Sequence, residues 1–377
     1  MPNPTQFDHY LRDDGPAALV LREQLMPVEG TDGVLFPATF AAGGGFPGGY
    51  NIDRFGDAKE GNVCLIDSVG SQANRIEALF MREPYGCLVP QIFVEAGERN
   101  VNLLEAGHRA GDALLRCSSL QEELQLAFRS ELAGDCEPLA KVAPTSLVFG
   151  VWDSRDTQSK RPRLIASAIW AFNVRELSRG AVYIPPLDYT ELDVFSEEDK
   201  AKAEGNNKSP LAQRGFVHNP ASGSHGGVIA DGGIRRDATL GLAALRHIHA
   251  GKDPERTLAL RRYILGLSLV AFTAPAESYL RQGCTLVLNP EPGDAVQPRE
   301  FVEVYPDGRR TPCEIKHNEA LRFAKEVADA FGIGESRTVQ FERERAKRDV
   351  KAEETGKSKS KRGAKRGGEP SEDVKGN

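Results

Sequence analysis

The chain has 377 residues and a formal net charge of −6; 40% of its residues are hydrophobic and 38 are glycine. This composition excludes a wholly disordered or disulfide-stapled miniature protein, and leaves room for one large or two modest domains with a full core. It argues against a protein that coats nucleic acid with its whole surface, while a local basic groove stays open.

The charge is uneven. Residues 342 to 377 hold twelve bases against eight acids, a net +4, so the remainder stands near −10. The six cysteines form no C-x-x-C pair, which speaks against a zinc or redox motif. The start, "MPNPTQFDHYLRDDG", has no apolar core of a signal peptide, and the longest apolar run, "YILGLSLVAFTA", is too short to span a bilayer. Reduced thiols, a cytoplasmic location and no membrane contact are therefore expected.

In chain order, "ALVLREQLMPVEG" reads as a strand ended by Pro27 and Gly30. The glycine-rich loop "AAGGGFPGGYN" (41 to 51) lacks the phosphate-loop and dinucleotide-loop patterns. A helix is predicted over residues 67 to 83, because Val69, Ala73, Ile76 and Phe80 recur at helical spacing and Asp67 or Ser68 can cap it. "PQIFVEAG" is a strand, and "AGHRAGDALLRCSSLQEELQLAF" a helical stretch weakened at Gly111. "APTSLVFGVW" (143 to 152) reads as a buried strand whose apolar partner is "RLIASAIWAFNVREL" (163 to 177), with both tryptophans, Trp152 and Trp170, placed in the core.

Residues 185 to 233 are rich in Pro, Gly, Asn and Ser, and a loop of that length is usually functional or disordered. A helix is then predicted from Asp237, a second over "PERTLALRRYILGLSLVAFTA", strands over "GCTLVLN" and "EFVEVYPDGRRTPCEI", and an amphipathic helix over "NEALRFAKEVADAFG" with Gly332 past its end. Strands and helices mix without strict alternation, so the fold class is α+β. Residues 342 to 377 cannot bury a core and read as a charged disordered tail after a helical turn or two; residues 1 to 341 form the folded domain.

Nucleophile-elbow, zincin and Walker patterns are absent. His247 and His249, two apart on a predicted helix, point to different faces. Asp153 and Asp156 suggest a metal site until the neighbouring Arg155, Lys160 and Arg161 are weighed; those cations would neutralise it, and the two acids read better as partners that orient them. No catalytic residue, metal or cofactor is assigned.

Nucleic acid fits better. Arg155, Thr157, Gln158, Lys160 and Arg161 cluster in one loop and offer guanidinium, ammonium, hydroxyl and amide groups, the chemistry that binds phosphate and ribose oxygens. Ser71, Asn74 and Arg75 repeat it at a helix start, where backbone N–H groups face outward, and Arg235 and Arg236 repeat it again behind two glycines at a second predicted helix start.

The stretches "LIDSVGSQANRIEALF", "SLVFGVWDSRDTQSKRPRLIASAIWAFNV" and "GGIRRDATLGLAALR" resemble the CRISPR-associated RAMP backbone subunit, of the Cas-seven type, of type I-U (now I-G) Cascade interference complexes, over most of residues 15 to 335. The resemblance implies a modified RRM-like (ferredoxin-like) RAMP palm with large insertions forming fingers and a thumb. The glycine-rich element, about 41 to 62, would be one insertion at a subunit interface, and 185 to 233 the thumb, with Phe216 or Val217 as its wedge.

It further implies a non-catalytic subunit that binds CRISPR guide RNA, stacks with further copies of itself along the guide, and supports R-loop formation on target double-stranded DNA. Its other partners would be the large subunit and the guide-handle-binding RAMP subunit, with a separately recruited nuclease-helicase doing the cutting. Read from residues alone, a metal-dependent RNA nuclease or processing enzyme on a RAMP-like fold remains the alternative.

Overall fold

The computed structural model describes residues 4 to 56, 61 to 293 and 296 to 351. The elements that place the site are, in chain order, β1 (Ala18–Pro27), β2 (Asn62–Asp67), α1 (Val69–Glu77), β3 (Ile165–Phe172), β4 (Val174–Tyr183), β5 (Asn219–Ala230), β6 (Ile234–Gly241), α2 (Pro254–Thr273), β7 (Arg299–Val304) and α3 (His317–Phe331).

Neighbouring strands of the main sheet run β7–β1–β6–β3–β2, every pair antiparallel. Helical segments connect β1 to β3, an excursion separates the hairpin partners β3 and β6, and α2 connects β6 to β7. The spatial order fourth, first, third, second with two crossovers is the ferredoxin-like arrangement of an RRM. The α+β palm with insertions expected from sequence is the fold observed, with β2 as an extra strand beyond β3.

Strict alternation builds the sheet. Along β1 every second residue is buried: Leu19, Leu21, Glu23 and Leu25 pair across with Leu240, Ala238, Arg236 and Ile234 of β6, the first two packing in the core with the helices and Leu25 in a second core of strand and loop residues. The opposite face carries Arg22, Arg235 and Asp237, with Arg22 Nε 3.1 Å and Arg235 Nε 2.9 Å from the Asp237 carboxylate. The Arg235 guanidinium also lies 4.8 Å from the Phe172 ring centroid.

Helix α2 shows no polar stripe because it is buried from Tyr263 to Thr273, caught between the sheet and α3. Its polar atoms are satisfied locally: Ser268 and Thr273 hydroxyls donate to the carbonyls of Ile264 and Leu269, each at 2.7 Å, and Tyr263 donates to Leu88 O at 2.9 Å. Helix α3 ends as expected on Gly332, in the left-handed conformation at φ 67°. Among the described residues no helix is long and apolar enough to cross a membrane.

Three local expectations are corrected. Thr145–Phe149 is a helix and not a strand; all five residues are buried, and a short apolar run carries no period that separates the two. The helix predicted from Asp237 is strand β6, whose buried Ile234, Arg236, Ala238 and Leu240 keep a period of two; a helical turn follows only at Leu242–Leu245. The helical stretch before residue 128 breaks into Arg109–Gly111, Ala113–Arg116 and Gln121–Leu132.

The excursion between β3 and β6 starts at Val174: β4 and β5 form a two-stranded ribbon that carries a small cap with its own core, Ala203, Ala212 and Val217. Val217 is buried there, and Phe216 packs edge-to-face against Tyr189 at 5.0 Å and Phe195 at 6.3 Å. Val217 thus belongs to the cap's core, while Phe216 stays half-buried. Among the described residues, the large apolar side chains exposed on the excursion include Val182, Tyr183, Ile184, Leu187, Leu192 and Val194.

The glycine-rich element folds as a short hairpin, Thr39–Phe40 against Gly49–Tyr50, at the ribbon's base, where Tyr50 accepts from Gly227 N at 3.0 Å. Its residues 57 to 60 lie outside the described residues. Residues 343 to 351 of the expected tail are helical, and residues 352 to 377 lie outside the described residues.

The tightest helix contact yields a prediction. A Cβ added at Gly266 of α2 would lie 2.9 Å from Ala324 Cα and 2.8 Å from a Val327 methyl on α3. Gly266→Val should therefore destabilise the protein by about 1–3 kcal/mol, the usual cost of overpacking a core, read as a lowered denaturant midpoint.

Candidate nucleic-acid interface

The cluster at 151 to 163 is a hairpin. Val151 pairs with Arg161 and Trp152 with Lys160. Its tip is fixed by Asp153, whose buried carboxylate accepts from Thr157 N at 2.8 Å and Thr157 Oγ1 at 2.6 Å. Gln158 takes φ 62° and donates its side-chain amide to Ser154 O at 2.7 Å. Thr157 and Gln158 thus shape the turn. Asp153 holds that backbone in place, which replaces the idea that it serves mainly to orient arginines.

The base of the hairpin is tied to the helix at Gln121–Leu132. Buried Glu131 accepts from Ser159 Oγ at 2.5 Å and pairs with Arg161 Nε at 2.7 Å. Arg161 is therefore largely committed to the fold, whereas Arg155, Lys160 and Arg163 are exposed. Trp152 is 54% exposed, which corrects its placement in the core, and Lys160 Nζ sits 5.3 Å from its ring centroid. Trp170, on β3, is half-buried.

Opposite the hairpin runs the segment 107 to 116. Between them lies a cleft of about 650 Å³, lined by Arg109, Arg116, Arg155, Lys160, Arg161 and Arg163 together with His108 and Trp152, and by no carboxylate. Sequence reasoning missed Arg109 and Arg116. The available signal was Gly111: a Cβ there would lie 2.7 Å from Trp152 O, so the glycine marks where the two walls cross, not merely a weak point in a helix.

The cleft is joined to α1 by a buried ion pair. Arg109 Nε lies 2.7 Å from Glu77 Oε2; the same guanidinium donates to Asn74 Oδ1 at 3.2 Å and to Gly150 O at 3.4 Å. Burial pushes the Glu77 carboxyl up to about 6, against the opposing pull of Arg109. Burial likewise lowers the Arg109 pKa, with Glu77 opposing.

The other expected site residues separate into different places. Asn74 is exposed and reaches the cleft through Arg109, while Ser71, half-buried, uses its backbone N–H on the Ser68 cap at 3.2 Å. Arg75 turns inward, with Nε 3.2 Å from the buried carboxylate of Asp67 and a 2.7 Å bond to Leu280 O. It shares a cavity of about 90 Å³, under the sheet, with Gln72, Ser167, Glu277 and Arg236.

Arg236 does not sit at a helix start. It is buried on β6, 2.8 Å from Glu23 Oε2, and a strand of period two sends the adjacent Arg235 to the opposite face. Among the described residues, no three His, Cys, Asp or Glu side chains gather where they could hold a metal ion.

Two predictions concern the ion pair. Arg109→Ala strands the Glu77 carboxylate and should cost about 3–5 kcal/mol in denaturant unfolding, with part recovered in the double variant Glu77→Leu/Arg109→Met. The raised pKa of Glu77 also has a sign: its stabilising contribution is full below the ordinary carboxyl range and is lost as pH rises through about 6. The stability of Glu77→Gln relative to wild type should therefore rise across that window, as read from unfolding curves at successive pH values.

Residues 19 to 176 match the family model of CRISPR-associated protein GSU0053. No curated protein matches the chain. The matched stretch takes in most of β1, all of β2, α1 and β3, and both walls of the cleft. The match covers less than half of the chain, so it is a likeness of that stretch to a CRISPR-associated family.

Proposed function

We propose that the protein is a non-catalytic guide-RNA-binding backbone subunit of a type I CRISPR surveillance complex of the I-G kind. Several copies would line up along one guide in the cytoplasm, together with the large subunit and the guide-handle-binding RAMP subunit. The assembly would support R-loop formation on target double-stranded DNA and leave cleavage to a recruited nuclease-helicase.

The observation that carries this reading is the cleft. It is lined by six cationic side chains, three of them paired with acids outside its lining (Arg109 with Glu77, Arg116 with Asp349, Arg161 with Glu131), by no carboxylate and by an exposed tryptophan, and both its walls lie in the stretch that matches a CRISPR-associated family. Cations and an indole face suit phosphate contact and base stacking, neither of which selects a sequence. That is the requirement for a subunit whose complex reads sequence by base pairing. The acidic total charge is compatible, because the binding charge is concentrated on one face.

Expression with a CRISPR array and the neighbouring subunits should yield protein carrying RNA of uniform length; RNA-free monomers under those conditions would overturn the proposal, as would metal-dependent cleavage of RNA by the purified subunit. Within the cleft, Lys160→Ala with Arg163→Ala should weaken binding equally for all guide sequences and lower the salt slope by about 1.4, at ~0.7 per lost single-strand phosphate contact. Trp152→Ala should cost about 1–3 kcal/mol of RNA affinity if a base stacks on the indole. Arg161→Ala is expected to act through stability, since that side chain belongs to Glu131.

A further inference from the structure

Residues 340 to 351 return to the wall of the cleft. Their root is held by the turn that follows Arg116: Ser119 N donates to Gln340 O at 2.9 Å, Glu342 N to Cys117 O at 2.7 Å, and Arg345 to Ser118 O at 3.3 Å. Residues 343 to 351 are helical, and Asp349 stands one turn beyond Arg345. Its Oδ2 accepts from Arg116 Nη2 at 2.7 Å and from Nε at 3.2 Å. Val350 beside it is exposed, so the tip rests on an ionic contact and not on packing of that side chain.

Arg116 lines the cleft, and its side chain is 15% exposed against 41% for that of Asp349. The carboxylate takes the Nε–Nη2 edge of the guanidinium, an edge that also suits a phosphate oxygen. Two anions on one edge repel each other. An ion pair with one partner this open adds little net free energy, so a phosphate can replace the carboxylate. A lone phosphate gains at Arg116 only about what Asp349 gives up. A strand that also reaches Lys160 and Arg163 gains contacts that Asp349 does not oppose.

We propose that Asp349 is a built-in competitor for phosphate at Arg116, seated while the cleft is empty and displaced when a strand enters. This rests on the reading of the cleft as an RNA site, and it adds a residue that sets how strongly that site binds. The root stays on Cys117 and Ser118, and the turn carrying Asp349 comes away.

The test uses fluorescence anisotropy of a single-stranded RNA with the full chain, Asp349→Asn, Arg116→Gln and the double variant. Asp349→Asn should bind about two- to fivefold more tightly, the range an exposed ion pair accounts for. In the Arg116→Gln background the same change should gain nothing, because the contested guanidinium is gone. Glu344→Gln removes an equal charge from a side chain paired with Lys347, and should gain less than Asp349→Asn. Hydrogen exchange on the unaltered chain is a second readout that needs no variant: amides of residues 346 to 351 should exchange faster once RNA is bound.

Unchanged or weaker binding by Asp349→Asn would overturn the proposal, as would an equal gain in the Arg116→Gln background or from Glu344→Gln. Slower exchange of residues 346 to 351 on RNA binding would overturn it too, because the turn would then close on the strand instead of leaving it. RNA binding indifferent to Lys160→Ala with Arg163→Ala would instead sink the cleft reading and this inference with it. A loss in that double variant, with no gain from Asp349→Asn, would keep the cleft and reject the competitor.

Discussion

Much of the molecule is organised by one buried contact, the ion pair between Glu77 at the end of α1 and Arg109 in the segment opposite the hairpin. Both side chains are nearly inaccessible, and burial raises the Glu77 pKa even with a guanidinium 2.7 Å away. A pair in that state contributes little net stability, because desolvation offsets most of the attraction. Its effect is geometric: a single guanidinium touches Glu77, Asn74 and the Gly150 carbonyl, so α1, the 107 to 116 segment and the root of the hairpin share one register. The cleft is the space left between parts fixed in this way.

The same logic divides the arginines of the palm into two kinds. Arg75 is answered by Asp67, Arg236 by Glu23, Arg161 by Glu131 and Arg235 by Asp237. These side chains are largely used up within the fold. Lys160 and Arg163 are exposed on the hairpin and keep their charge at the cleft. Binding capacity thus depends on where carboxylates are missing more than on where arginines are plentiful, which is how a protein of net charge −6 can still present one strongly cationic face.

Part of this was legible in the sequence. Alternation in β1, the apolar length of α2 and the Gly332 stop after α3 each follow from local rules that tertiary packing then used unchanged. The hairpin at 151 to 163 announced itself by composition, although its exposed Trp152 did not, since an aromatic residue at the end of an apolar run usually faces inward. Strand β6 was hidden by Arg235, Arg236 and Asp237: charges on both faces mask a period of two unless a buried partner such as Glu23 is already known. Arg109 and Arg116 lay in a run that looked helical, and only the crossing at Gly111 explains why that run breaks. The small core that takes up Val217 was not legible, because an insertion of this composition carries no period that marks its own core.

The central claim is that RNA lies in the cleft between the 107 to 116 segment and the hairpin. Photo-cross-linking of the RNA-loaded protein, followed by mass spectrometry of the adducted peptides, tests it most directly. Adducts should fall on Trp152 and on peptides spanning 107 to 116 and 151 to 163. RNA that co-purifies but cross-links only to the helix-free sheet face, around Phe172 and Arg235, would contradict the account.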